Sequence, residues 1–327
     1  MEMFEQLKNN IKDKGIKIVF PEANDKRIIE AASKLSQENL LTPILLGKEI
    51  DVKNLADSIQ VNIDQCQIID VNQFSDMSKF VNKFVERRMG KVTEEQAQDL
   101  LQDPNYFGTM MVYLGYADGM VSGAIHSTGD TVRPAIQIIK TKEGVSRVSG
   151  AFVMVRDNEK YIFADCAINL NPSAQELAEI ALESAKTAEM FGLNPKVAML
   201  SFSTKGSGKG EDVQKVAEAT KIVQQMNTNI NYQFDGELQF DAAFSDTVAK
   251  LKAPNSPVAG QANVFIFPDL QSGNIGYKIA QRLGSFDAVG PILQGLNKPV
   301  SDLSRGCNAD EVYKVSLITA SQTLIED

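Results

Sequence analysis

The sequence predicts an α/β protein with mostly parallel, helix-covered sheets, divided into two domains. Three observations predict it. Short runs rich in β-branched residues alternate with helical patterns almost throughout, as in a parallel sheet whose crossovers are helices. The chain has 327 residues, roughly twice the usual length of one domain. Near residue 148 the alternation is broken by two strand-like runs joined by a short turn, and a hairpin inside α/β alternation suggests a domain border.

IKIVF (Ile16 to Phe20) reads as the first strand and NDKRIIEAASKL as its helix, and PILLG and CQIID repeat the pattern. VSGAFVMVR and KYIFADCAI, flanking Asp157, Asn158 and Glu159, form the predicted hairpin. Beyond it, Ser173 and Glu176 form a capping box, with Gly192 at the helix end and Pro195 past it, bracketing one long amphipathic helix. Strand KVAMLSFS, a helix from Glu211, strand ANVFIFPDL and a helix near Ile275 follow. The last segment, VGPILQGLNKPVSDLSRGCNADEVYKVSLITASQTL, reads as a strand, an irregular loop and a helix capped by Asn308 with Glu311 at its third position. No repeat of 20 to 50 residues and no low-complexity tract interrupts this order.

Composition narrows the function. Hydrophobic residues are 43% and charged residues 23% of the chain, which excludes collagen-like and disordered classes. The net charge of −9 repels nucleic acid and anionic membranes, so a small anionic substrate would need local arginines. The first residues, MEMFEQLKNNIKDKG, carry no apolar signal core, and no apolar run reaches the ~18 residues of a membrane span, so the cytoplasm is the expected location. Cys66, Cys166 and Cys307 are odd in number and widely spaced, which argues for reduced thiols. His126 is the only histidine, so a two-histidine metal site within one chain is impossible and a Ser-His-Asp triad would have to use it.

Several segments can carry chemistry. SFSTKGSGKGED (Ser201 to Asp212) has the glycines of a phosphate loop with Lys205, Ser207 and Lys209, yet it is no Walker A motif, because Ser203 stands at the first glycine position and Gly210 at the last. A flexible polar loop explains its composition equally well. STGDTVRPAIQIIKT holds Ser127, Thr128 and Thr131 and places Arg133 just before Pro134, in or beside the first turn of an amphipathic segment, where an arginine suits a bound phosphate better than the helix dipole. DLSRGCNADE (Asp302 to Glu311) is the most complete anion site: Ser304 offers a hydroxyl, Arg305 a bidentate fork, and the following helix its unpaired N–H groups. Glu311 can accept a proton, although a capping role accounts for its spacing. A lone His126 suits a structural role better than a general base, and Cys307 is a better nucleophile candidate than Cys166 because it lies beside Arg305. Glu22, Asn24 and Asp25 follow the first strand, where a ligand-facing loop is expected.

Together GMVSGAIHSTGDTVRPAIQIIKT, SFSTKGSGKGEDVQKV and VSDLSRGCNADEVYKVSLITA resemble the phosphate acetyltransferase (phosphotransacetylase) family in its short form, with the likeness running from FPEANDKRI to the C-terminus. The resemblance implies reversible transfer of an acetyl group between coenzyme A and inorganic phosphate, with no metal or redox cofactor. Ser304 and Arg305 match the family's S-R-G-C loop. Arg133 matches its T-L-R-P-A arginine, with Val132 in place of leucine, and Arg88 its E-L-R-K arginine, where this chain reads Glu86, Arg87, Arg88, Met89. Where the family has an aspartate seven residues after the loop serine, this chain has Glu311, with Asp310 before it.

The implied scheme has Glu311 take the coenzyme A thiol proton and the thiolate attack acetyl phosphate directly, with Ser304 and Arg305 catalytic and Arg133, Arg88, Ser127, Thr128, Thr131, Ser207 and Lys205 binding substrate. The family also implies a homodimer of two α/β/α domains like those of isocitrate and isopropylmalate dehydrogenases, residues 1–147 with 294–327 as domain I and 148–293 as domain II, the active site in the cleft between them. No GxGxxG follows a strand, so a nicotinamide site has no support. A different acyl length, as in phosphate butyryltransferase, and a non-catalytic acyl-phosphate or coenzyme A binding protein are the competing expectations.

Overall fold

A computed structural model describes residues 2–324. The chain divides into two compact units, Met1–Thr141 with Leu296–Asp327, and Lys142–Gly295. The first contains α1 (Glu2–Ile11), β1 (Lys17–Phe20), α2 (Lys26–Gln37), β2 (Thr42–Leu46), α3 (Glu49–Ser58), β3 (Gln67–Ile69), α4 (Met77–Arg88), α5 (Glu94–Leu100), α6 (Pro104–Leu114), β4 (Gly119–Ser122) and α7 (Thr128–Pro134). The second contains β5 (Ser149–Arg156), β6 (Glu159–Ala164), α8 (Ala174–Met190), β7 (Lys196–Leu200), α9 (Glu211–Met226), β8 (Gln233–Leu238), α10 (Phe240–Phe244), α11 (Asp246–Lys252), β9 (Val264–Ile266), α12 (Leu270–Leu283) and β10 (Asp287–Gln294). The chain then returns to the first unit with β11 (Val300–Asp302) and α13 (Ala309–Gln322).

The first unit's sheet runs β11-β4-β1-β2-β3 and every pairing is parallel. Its strands are buried runs such as Ile18, Val19 and Phe20, because helices cover both faces. In register, Val19 lies beside Met120, and Asp302 beside Ser122. Parallel pairing therefore brings the outgoing ends of β1, β4 and β11 to one edge, and β1 and β4 leave it toward opposite sides of the sheet. Ligands of open α/β sheets bind at such a reversal.

The second unit's sheet runs β10-β5-β6-β9-β7-β8. The expected hairpin is there: β5 pairs antiparallel with β6, and β10 antiparallel with β5, while the remaining pairs are parallel. Ser173 accepts the Glu176 N–H in the expected capping box of α8. Phe152, Phe163, Phe265 and Phe267 fill the core beside this sheet. Buried Asp165, at the end of β6, accepts the backbone N–H groups of Gly150, Ala167, Ile168 and Asn169 at 2.8–3.2 Å, which fixes the turn leaving that strand.

One glycine decides how closely β4 and β11 can end together. Gly123 has φ +110°, and a Cβ there would stand 2.5 Å from Asp302 Oδ1 and 2.6 Å from the Leu303 nitrogen. Gly123→Ala should therefore lower stability by about 2 kcal/mol or more, combining overpacking with backbone strain. Thermal unfolding measures this, and an unchanged midpoint would contradict the close approach.

Candidate active site

The loops leaving β1, β4 and β11 are tied together by charged groups, Glu22 buried and Arg27 half-buried. Glu22, 1% exposed, directly follows β1 and Pro21. Its Oε2 accepts the N–H groups of Gly123 (3.0 Å) and Ala124 (2.7 Å), and its Oε1 those of Ile125 and His126 (both 2.9 Å). The His126 Nδ1 lies 2.7 Å from the same Oε1. Because a carboxylate only accepts, Nδ1 carries a proton and donates it to Glu22. His126 thus orients a loop, the structural role expected of it, and with Asn24, Asp70 and Pro104 it lines a cavity of about 530 Å³.

Arg27 straps the third loop to the other two. Asp25 caps α2 through the Arg27 N–H and holds the Arg27 guanidinium at 2.7–2.9 Å. That guanidinium donates to the carbonyls of Arg305 (2.8 Å), Cys307 (2.9 Å) and Ala124 (2.7 Å). It also holds the Asp25 carboxyl below the usual carboxylate range, chiefly through their side-chain hydrogen bond. With the backbone so fixed, the Ser304 and Arg305 side chains are exposed, and Arg305 makes no ion pair among the described residues. Gly306 donates to Ser304 Oγ at 3.3 Å, and Asn308 Oδ1 caps α13 by accepting the Glu311 N–H at 2.9 Å, as the sequence predicts. Glu311 is exposed at this helix start, while Asp310 is paired with Lys314. Burial pushes the Cys307 thiol up to about 11, with Glu311 adding to the rise and Arg27 opposing it. Cys307 is accordingly a neutral thiol near pH 7 and a poor nucleophile. Cys166 is fully buried, and burial raises its thiol well above the usual thiol range as well.

Helix α7 begins earlier than its proline suggests. Ser127 and Asp130 form a capping box, so the helix starts at Thr128, Pro134 lies inside it, and Arg133 sits in its last turn rather than its first. The run continues without a break into a π turn, Ala135–Ile139, so Arg133 does not stand at a free helix end. Its side chain is 61% exposed and only 4.0 Å from Asp130. Arg133 joins Arg88 around Tyr106, whose hydroxyl burial pushes up and both cations pull down. The Arg88 Nε is buried without a partner. Beside it, Arg87 donates to the carbonyls of Ile138 and Ile139 at 2.6 and 2.9 Å. Arg87, Arg88 and Lys91 all depress Lys140, so positive charge is concentrated here with too little acid to cancel it.

Thr131 is fully buried and Thr128 exposed on the same helix. Both hydroxyls lie beside Asp302, whose carboxyl burial pushes up to about 6 against their opposing pull. Thr131 Oγ1 and Asp302 Oδ1 are each buried without a hydrogen-bond partner.

The two remaining candidates belong to the second unit. Lys205 pairs with Asp235 and donates to the Gly236 carbonyl at 2.8 Å. Ser207 Oγ accepts the Thr204 N–H at 2.9 Å, and Glu237 Oε1 accepts the Gly206 N–H at 2.6 Å and the Ser203 hydroxyl at 2.9 Å. In this loop a side-chain carboxylate already occupies part of the donor set that would face a phosphate.

Ser304, Arg305, Glu311, Arg133, Arg88, Ser127, Thr128 and Thr131 thus all lie in the first unit. Sequence analysis misses Arg27 and Asp302. The Asp25-x-Arg27 spacing at a helix start is the one local signal for Arg27, and nothing local marks Asp302 as buried.

A family profile described as "Phosphate acetyl/butaryl transferase" matches residues 2–320. The chain is 57% identical over 323 residues to phosphate acetyltransferase of Bacillus subtilis, covering 99% of each. It is likewise 57% identical over 325 residues to phosphate acetyltransferase of Staphylococcus aureus, again with 99% of each covered. A solved phosphotransacetylase from Streptococcus pyogenes superposes with a TM-score of 0.96 at 59% identity, covering 99% of this chain and 98% of that one. With its S-R-G-C loop strapped open and likeness spanning its whole length, the chain belongs to the phosphate acetyl/butaryl transferase family.

Proposed function

We propose that the protein is an acyltransferase that moves an acetyl group reversibly between coenzyme A and inorganic phosphate, by direct attack within a ternary complex. The observation that carries this is the loop from Ser304 to Cys307, whose backbone is clamped by Arg27 so that the Ser304 hydroxyl and the Arg305 guanidinium stand free at the start of α13. Relatives at 57% identity named phosphate acetyltransferase support the choice of acyl group.

In this scheme Arg305 neutralises the phosphate as it leaves, and Ser304 with neighbouring N–H groups stabilises charge on the carbonyl oxygen. Glu311 accepts the thiol proton, which the departing phosphate finally takes up, so the reaction needs neither metal nor redox cofactor. Arg88 and Arg133 attract the phosphates of coenzyme A, and Ser127, Thr128 and Thr131 offer hydroxyls to the acyl phosphate. Within the second unit, the Ser207 hydroxyl and the Lys205 ammonium are a separate pair of substrate-binding candidates, held by internal partners. The high pKa of Cys307 favours this route over an acetyl-cysteine intermediate.

A homodimer and a cytoplasmic location complete the proposal. Ile275, Ile279 and Leu283 repeat every four residues along α12 and are 57%, 53% and 83% exposed, an apolar stripe that a second copy would cover. Among the described residues no helix is long and apolar enough to cross a membrane.

Acyl-CoA formation from acetyl, propionyl and butyryl phosphate should be fastest with acetyl phosphate. Arg305→Ala should lower kcat/KM by about 100- to 1,000-fold, the scale of one lost oxyanion donor, at unchanged thermal stability; wild-type rates would remove Arg305 from the chemistry. Ile279→Glu should convert the dimer into a monomer by light scattering. A wild-type monomer, or a variant that stays dimeric, would refute the α12 interface.

A further inference from the structure

Asp302 is the buried acid next to the reactive loop that acetyl transfer, as described, leaves unused. It is 1% exposed and ends β11 two residues before Ser304. Its Oδ1 has no hydrogen-bond partner, and neither has Thr131 Oγ1 beside it. The glycine at position 123 leaves the room that this carboxyl occupies.

Its neighbours explain why it, rather than Glu22, is short of donors. From the end of β1 comes Glu22, which takes four backbone N–H groups and the His126 Nδ1 for itself. From α7 come the hydroxyls of Thr128 and Thr131, while Asp130 is turned to Ser127 and Arg133 is exposed. On α13, Asp310 and Lys314 pair with each other, Glu311 is exposed, and the Tyr313 hydroxyl is bonded to Glu38 at 2.5 Å. The leading influences on Asp302 are burial, the two hydroxyls, the Glu22 charge and the Leu303 N–H, none of them a cation. Two neighbouring carboxyls with unequal donor sets divide their roles, and the proton goes to the poorer site.

We propose that Asp302 is a positioning residue for the acyl phosphate, acting through Thr128: its protonation state decides whether the exposed first turn of α7 presents the phosphate with a hydroxyl hydrogen or with a lone pair. A neutral Asp302 donates its own O–H to the threonine oxygen and frees the threonine hydrogen to point outward. An ionised Asp302 draws that hydrogen inward and adds a negative charge behind the site. Protonation therefore tightens phosphate binding, and bound phosphate in turn holds the proton on Asp302.

This inference rests on the acetyl-transfer proposal, and the test separates the two. KM for acetyl phosphate and for coenzyme A is measured in the wild type, Asp302→Asn and Thr128→Val from about pH 5 to pH 7.5, on both sides of the titration near 6. The asparagine amide donates to Thr128 at every pH, as the neutral acid does. The wild-type KM for acetyl phosphate should rise with pH relative to Asp302→Asn by ~2- to ~10-fold, the span of one net hydrogen bond. The ratio for coenzyme A should stay flat. Thr128→Val should lose the same pH dependence and decides the matter if Asp302→Asn does not fold. The substrate's own titration is common to all three proteins and cancels. Calorimetry with inorganic phosphate reads the same dependence without turnover. If phosphate binding shows it while no acetyl transfer occurs, the acetyl-transfer proposal fails and the role of Asp302 stands. A wild-type-to-variant ratio that is constant with pH, in both KM and phosphate affinity, overturns the role of Asp302.

Discussion

The Glu22 carboxylate is the interaction on which the rest of the site depends. Fully removed from water, it would be costly without partners, and it has five donors, four of them consecutive backbone N–H groups from Gly123 to His126. A loop bonded in this way has one conformation. It fixes the backbone that leads into α7 and the way His126 faces.

The second unit uses the same device. Asp165 ends β6 as Glu22 follows β1, and it gathers four backbone N–H groups and the Asn169 amide. In each case a carboxylate inside the protein satisfies the donors of a strand-to-loop turn, which leaves no need for a ligand to hold the turn together. The loop from Ser304 to Cys307 is built differently. Its Arg305 and Cys307 carbonyls are taken up by Arg27, while its Gly306 and Cys307 N–H groups bond to Ser304 within the loop and to no acid. An anion can therefore meet donors there that no internal acid has occupied, and Arg305 remains free to meet it.

Much of this was legible in the sequence. The alternation of strand and helix, the hairpin at β5 and β6 and the caps of α8 and α13 are local patterns, and local patterns survive folding. Arg133 shows where that ends. Pro134 suggests a helix start, yet the capping box of Ser127 and Asp130 begins the helix at Thr128, six residues before the proline. Lys205 and its neighbour Gly206 show a second limit, because their partners Asp235 and Glu237 are 30 and 31 residues distant in sequence, so a loop with the composition of an anion site is in part filled from within. Asp302 and Arg27 act through contacts 278 residues apart or through burial, which no window on the sequence contains.

Amide hydrogen exchange at Gly123 to His126 in the wild type and in Glu22→Gln is the most direct test of the organising role of Glu22. Glutamine keeps the shape but turns an NH2 group toward N–H donors, so loss of protection at these four amides is expected, with the amides around Asp165 unchanged. Equal protection in both proteins would mean that the loop is held by something other than Glu22.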